Sequence, residues 1–185
     1  MLIGLISDTH IPLDTLALPP HVKMAFQGVE LILHAGDIYV PKVLDELETI
    51  APVLVARGNG DLFFPKDSRM KENQVLELEG LRVGVTHAFY PDWPADNFAQ
   101  AMDREFGGHV DIIVYGDTHV AWKGQVYGTF MINPGSPALP NGRYQLGTVG
   151  LLEIDQGKVN GHIIQLSDFN APFERKLIYR PGCNE

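Results

Sequence analysis

Cysteine is nearly absent. The single one, Cys183, stands in the tail "RPGCNE", so the chain forms no internal disulfide and offers no thiolate metal site. Basic residues are also few. With 14 Lys and Arg against 23 Asp and Glu the net charge is −9, and such a field repels a nucleic-acid backbone, so no duplex partner is expected. No stretch approaches the roughly eighteen unbroken apolar residues of a membrane helix. The opening "MLIGLISDTH" lacks the basic flank and small-residue cleavage site of a signal peptide, and the expectation is a cytoplasmic protein with no membrane partner. Linkers, internal repeats and low-complexity segments are missing too. A chain of 185 residues with 45% hydrophobic content then reads as one domain, 1–185, around one substantial core.

What is present is alternation. Leu2 to Ile6, the run around Leu31 to Leu33 and Val53 to Val55 are short, apolar and rich in β-branched residues, as buried strands are. Between them "PPHVKMAFQG" and "PKVLDELETI" carry helical spacing, so the first sixty or so residues read as βαβ units on a largely parallel sheet. "QVLELEGLRVGVTHAF" reads as two alternating strands joined at Glu79-Gly80, and "PADNFAQAMDREFGG" as an amphipathic helix stopped by glycines. "DIIVYG" is a further buried strand. Short strands with turn signals follow, "AWKGQV", "TFMIN", "GTVGLLEI" and "KVNGHIIQL", and this half favours antiparallel pairing. Two sheets packed face to face with helices outside accommodate both halves: an α/β, four-layer αββα sandwich of two mixed sheets.

Two of the strands end alike. "LISDTH" and "VYGDTHV" each close an apolar run with Asp-Thr-His, although Asp is depleted in strands and a buried carboxylate is costly unless paired or bound to a metal. Ligands of open α/β sheets bind beyond the carboxyl ends of the strands, so the polar residues there are the candidates: Asp8, His10, Asp37, Asn59, His87, Asp117 and His119. All are metal-ligand types. Singly, Asp37 reads equally as a turn residue, Asn59 as a left-handed loop position and His87 as a hydrogen-bonded strand end. Five strand ends bearing ligand types in this order go beyond turn chemistry. Carboxylates mixed with imidazoles suit Mn, Fe, Zn, Ni or Mg better than Ca.

The ordered series "DTH", "HAGD", "GNGD", "TH" and "GDTH", followed by "INPGSP" at Ile132 to Pro137, resembles the calcineurin-like metallophosphoesterases, in particular their small bacterial and archaeal phosphodiesterases. The resemblance implies a phosphodiesterase with two divalent metal ions, Mn first among the candidates. One ion would sit on Asp8, His10, Asp37 and His119, the other on Asp37, Asn59, His87 and Asp117, with Asp37 bridging. A metal-activated hydroxide would attack a small phosphoester, and His34, Asp37 and Asn59 are the expected catalytic residues, His34 by orienting Asp37. Arg143 is the candidate phosphate clamp, and Phe89, Tyr90 and Trp93 of "HAFYPDW" a candidate substrate wall. Expected partners are the substrate and, at most, further copies of the chain in a homo-oligomer.

The series departs from that family's pattern twice. Asp117 stands where relatives carry histidine, and Gly60 where many carry a leaving-group histidine and this branch often has cysteine. The rival expectation is therefore an inactive relative serving as an interaction scaffold, as the retromer subunit of this fold does. The intact Asp8, His10, Asp37, Asn59, His87 and His119 weigh against it, since buried ligands cost stability without metal.

Overall fold

The computed structural model describes residues 1–11, 17–63, 67–143 and 145–170; Cys183 lies outside them. The expected four-layer sandwich forms. The first sheet has the order β11-β10-β1-β2-β3-β4, with β1 Leu2–Ile6, β2 Leu31–His34, β3 Val53–Ala56 and β4 Met70–Lys71 parallel, and β10 Thr148–Asp155 and β11 Lys158–Gln165 as an antiparallel hairpin beside β1. The second has the order β5-β6-β7-β9-β8, from β5 Gln74–Leu78, β6 Leu81–Val85, β7 Ile112–Val114, β8 Trp122–Val126 and β9 Thr129–Asn133. Here the pairing differs from the antiparallel expectation: β7 runs parallel to both β6 and β9, and only the edge strands are antiparallel. The reason is the helix α3, Ala95–Phe106, which carries the chain back along the sheet between β6 and β7, a crossover that yields parallel strands.

Strand alternation divides the core. Ile3, Leu5, Leu31 and Leu33 point inward to meet Val83, Val85, Ile112 and Val114 of the other sheet. Ile6, Ile32 and Val55 point outward under helices α1, Pro20–Ala25, and α2, Lys42–Glu48, whose Val22, Val43, Leu44 and Leu47 cover them. Over the second sheet, Phe98, Ala101, Met102 and Phe106 fall at helical spacing on α3 and pack on Ile113 and Met131. Each of these side chains larger than alanine contributes about 1.5–3 kcal/mol of transfer free energy. Among the described residues no helix is long and apolar enough to cross a membrane. For the site, what matters is that β1, β2, β3, β6 and β7 all finish at one edge of the sandwich, where their following loops interlock. Asp8 N–H donates to Gly36 O at 2.9 Å and His10 N–H to Asp37 O at 3.0 Å, prolonging the β1–β2 pairing past the strands.

Candidate metal centre

All seven strand-end residues meet at that edge. His119 Nε2 lies 3.0 Å from His10 Nε2 and 3.6 Å from Asp8 Oδ1. His10 Nε2 lies 3.4 Å from Asp37 Oδ2, and the other oxygen of Asp37 lies 3.6 Å from His87 Nε2. His87 Nε2 in turn faces Asn59 Oδ1 at 3.1 Å and Asp117 Oδ1 at 3.6 Å. The ligand atoms of Asp8, His10 and His119 lie within 4.8 Å of one another, as do those of Asp8, Asp37 and His87, so Asp8 is close to both halves of the cluster and Asp37 spans them. Asp8, Asp37 and His87 are buried, while Asn59 is exposed at the mouth.

The backbone is bent to achieve this. Asp8, His10, Asp37, Asp117 and His119 have φ of 53°, 48°, 59°, 68° and 58°. Left-handed backbone is uncommon outside glycine, and Asp and His are among the residues that tolerate it best. Holding five at one place costs stability, a pattern that gathers at functional sites. It also explains why each strand ends where it does: the reversal aims the side chain across the edge rather than along the strand.

The imidazoles are held in one tautomer. His87 Nδ1 donates to Ala35 O at 2.7 Å, across the two sheets, and His119 Nδ1 donates to Leu139 O at 2.9 Å. In the neutral ring each therefore turns the lone pair of Nε2 toward the cluster, as metal-ligating histidines do. With its amide oxygen toward His87, Asn59 places a second acceptor 3.1 Å from a first. Two facing acceptors repel until a cation lies between them or the amide turns. The clearest sign is Asp8. Both of its carboxylate oxygens are buried without a well-formed hydrogen bond: the Ser7 hydroxyl is close enough to lower the Asp8 carboxyl somewhat, but it is directed at Ala35 O at 3.2 Å. Burial pushes the Asp8 carboxyl up to about 6, although His87 and His119 pull the other way. Burial, then the nearby His119 and His87, lowers His10 to about 4. Without a cation the pocket favours neutral groups, and the donor set, imidazole nitrogens around an orphaned carboxylate, fits divalent metal ions.

Several residues outside the expected set hold the site. Asp61, 4% exposed, accepts four main-chain N–H groups: Oδ1 from Ile38 at 2.8 Å and Tyr39 at 2.9 Å, Oδ2 from Asp37 and Gly58, each at 2.9 Å. It thereby fixes the loop that carries Asp37. Asp61→Asn turns an NH2 group toward two N–H donors, so urea unfolding should show a loss of about 3 kcal/mol; a loss below about 0.5 kcal/mol would mean that the loop does not depend on it. Asn133 donates to Gly116 O at 2.8 Å and Ser136 to Asp8 O at 2.7 Å, so "INPGSP" clips together the two Asp-Thr-His turns. Gly116 is required by close approach, since a Cβ there would lie 1.9 Å from Ser7 Oγ and 2.8 Å from Asp8 Oδ2.

His34 does not touch the Asp37 carboxylate. It is fully buried, accepts from Gly36 N–H at 3.1 Å and meets Thr9 Oγ1 at 3.3 Å, so it braces the loop's main chain; burial lowers it to about 3. Arg143 is exposed just past a short 3-10 helix, Pro140–Gly142, and makes no ion pair among the described residues. Phe89 is buried against α3, Trp93 packs on it, and only Tyr90 reaches the cluster, donating its hydroxyl to Asp117 Oδ2. That contact leaves Asp117 Oδ1 toward His87. Gly60 has no room for a side chain, because a Cβ there would lie 2.3 Å from the ring of Tyr39, which packs edge-on against His10 at 4.7 Å.

Residues 1–157 match the calcineurin-like phosphoesterase superfamily domain. The chain belongs to that superfamily. A probable metallophosphoesterase of Methanothermobacter thermautotrophicus is 38% identical over 181 residues, which span 97% of this chain and 99% of the relative. Phosphodiesterase MJ0936 of Methanocaldococcus jannaschii is 27% identical over 176 residues, 84% of this chain and 95% of that protein. Among solved structures, Vps29 of Entamoeba histolytica in complex with zinc superposes with a TM-score of 0.66 at 23% identity, covering 90% of this chain and 99% of that one, a likeness of fold. In the present chain the metal-ligand residue types gather at the strand-end edge, beside a carboxylate with no hydrogen-bond partner.

Proposed function

We propose that the chain is a divalent-metal-dependent phosphodiesterase acting as one domain, with two metal ions, Mn foremost, held by Asp8, His10, Asp37, Asn59, His87, Asp117 and His119. The observation that carries this reading is Asp8: a fully buried carboxylate with two unpartnered oxygens, set among converging Nε2 atoms, is stable only with a cation or a proton. A chain kept solely as an interaction scaffold gains nothing from such a group. Two divalent ions held there would supply positive charge against the charge that develops on the phosphoryl oxygens and would make water more acidic. The chain's own residues prepare that chemistry. Ala35 O and Leu139 O hold the His87 and His119 rings in their tautomers, Asp61 holds the loop of Asp37, and Tyr90 fixes one oxygen of Asp117 so that the other faces the cluster. Asn59, exposed at the mouth, is placed to meet an arriving small phosphoester.

Calorimetric titration of the metal-free protein with Mn should give two ions per chain, and turnover of bis(p-nitrophenyl) phosphate should follow their binding. Protein that takes up no Mn, or that takes up two ions and leaves the diester intact, defeats the proposal.

A further inference from the structure

A cavity of about 270 Å³ opens beside Asn59 and His87, on the half of the cluster remote from His119. Its far wall comes from Glu72, just after β4, from Asn73, and from Glu105 of α3, with Leu62, 63% exposed, at the rim. We propose that this cavity receives one alcohol arm of the diester and selects a short, uncharged, hydroxyl-bearing arm over one that carries a further phosphate; the proposal rests on the phosphodiesterase reading above.

Charge is the first argument. Arg57, the one guanidinium in the lining among the described residues, already lies 3.3 Å from Glu72 Oε2. Glu105 takes an N–H from Arg104 at 2.7 Å through one oxygen and the Asn73 amide at 2.8 Å through the other. Each guanidinium thus has its carboxylate, and a second phosphate would meet Glu72 and Glu105 with only a shared cation to answer it, in a chain whose net charge is −9. Hydroxyl groups find what they need. Glu72 keeps an oxygen free of Arg57, and Asn73 uses its NH2 on Glu105 and so has its carbonyl oxygen left to accept. Size is the second argument. The volume falls below the range of about 300–1,000 Å³ typical of pockets for drug-sized ligands, which suits a polyol of a few carbons rather than a nucleotide or an acyl chain. The exposed Leu62 offers that carbon skeleton its apolar edge.

The test uses two p-nitrophenyl diesters with the protein loaded with Mn, one whose second arm is glycerol and one whose second arm is glycerol bearing a terminal phosphate. The glycerol arm should be favoured about tenfold or more in kcat/KM, a difference of about 1.4 kcal/mol. Glu72→Arg, at a side chain that is 76% exposed, should collapse that ratio toward one. As an equilibrium readout that needs no metal, glycerol itself added to the metal-free protein should shift the side-chain amide resonances of Asn73. Equal kcat/KM values in the wild type, a ratio unmoved by Glu72→Arg, or an unmoved Asn73 amide would overturn the assignment of this cavity while the hydrolase reading stands. Failure to turn over every diester, bis(p-nitrophenyl) phosphate included, overturns both.

Discussion

Asp37→Asn, saturated with Mn, should hydrolyse bis(p-nitrophenyl) phosphate more slowly than the wild type by more than the roughly 10- to 100-fold loss that follows removal of an outer hydrogen-bond partner. Asp37 turns one oxygen to each half of the cluster, toward His10 at 3.4 Å and toward His87 at 3.6 Å. The substitution keeps shape and volume. Its remaining oxygen can still accept the Gly60 N–H that now reaches Asp37 Oδ1 at 2.8 Å, and the main chain of residue 37 stays bound to Asp61. Fold is therefore retained while one charge is withdrawn from the middle of the centre. Stop-flow assays across a Mn titration separate weak binding from slow chemistry: a rate that recovers fully at high Mn means that Asp37 acts only through affinity. Near-normal turnover at ordinary Mn would remove Asp37 from the site and take the two-ion reading with it.

Much of this centre was legible because the ligand types interrupt an otherwise apolar grammar. An Asp or His that ends a buried β-branched run contradicts strand propensity, and five such contradictions in order expose an edge of the sandwich before any coordinate is known. The sandwich itself followed from the alternation of short apolar runs with helical spacing. What stayed hidden shares one property, the lack of any contradiction in its local sequence. Asp61 follows Gly-Asn-Gly, where an Asp is ordinary turn chemistry, yet it anchors a loop 22 to 24 residues away. The stretch holding Asn133 and Ser136 stands out as a motif but its role does not, since beside a proline and a glycine it reads as a simple turn, yet the Ser136 hydroxyl bonds to a carbonyl 128 residues distant. The Tyr90–Asp117 bond joins two loops that follow different strands of one sheet. The parallel setting of β7 was missed for a related reason: a three-residue strand carries too little pattern to reveal the direction of its neighbours.

The metal-free Asp8→Asn protein should be more stable than the metal-free wild type near pH 7.5, and less stable once Mn is present. Asp8 has its carboxyl raised from 3.8 to about 6 by burial, so between those values the native state holds a proton that the unfolded chain has lost. Above pH 6 the native carboxylate is charged, unpaired and buried, a penalty of about 3 kcal/mol; as pH falls through 6 toward 4 the penalty disappears. Asparagine has no such penalty, and its NH2 can donate to Nε2 of the neutral His119 ring, which lies 3.6 Å from the present carboxylate oxygen. The variant's advantage should therefore be largest at neutral pH and shrink on acidification. His10 slopes the other way, because its value is lowered to about 4 and its contribution is lost as pH falls from 6.5 toward 4. It is present in both proteins, so the difference between their urea midpoints isolates Asp8. Mn reverses the order, since a ligand at a thousand times its Kd adds about 4 kcal/mol to the state that binds it, and the variant has surrendered a ligand. Urea unfolding in chelator and in Mn, at pH 5 and 7.5, reads all four quantities. A metal-free variant weaker than the wild type at pH 7.5 would show that Asp8 is satisfied without a cation, and the strongest physical ground for a metal at this edge would be gone.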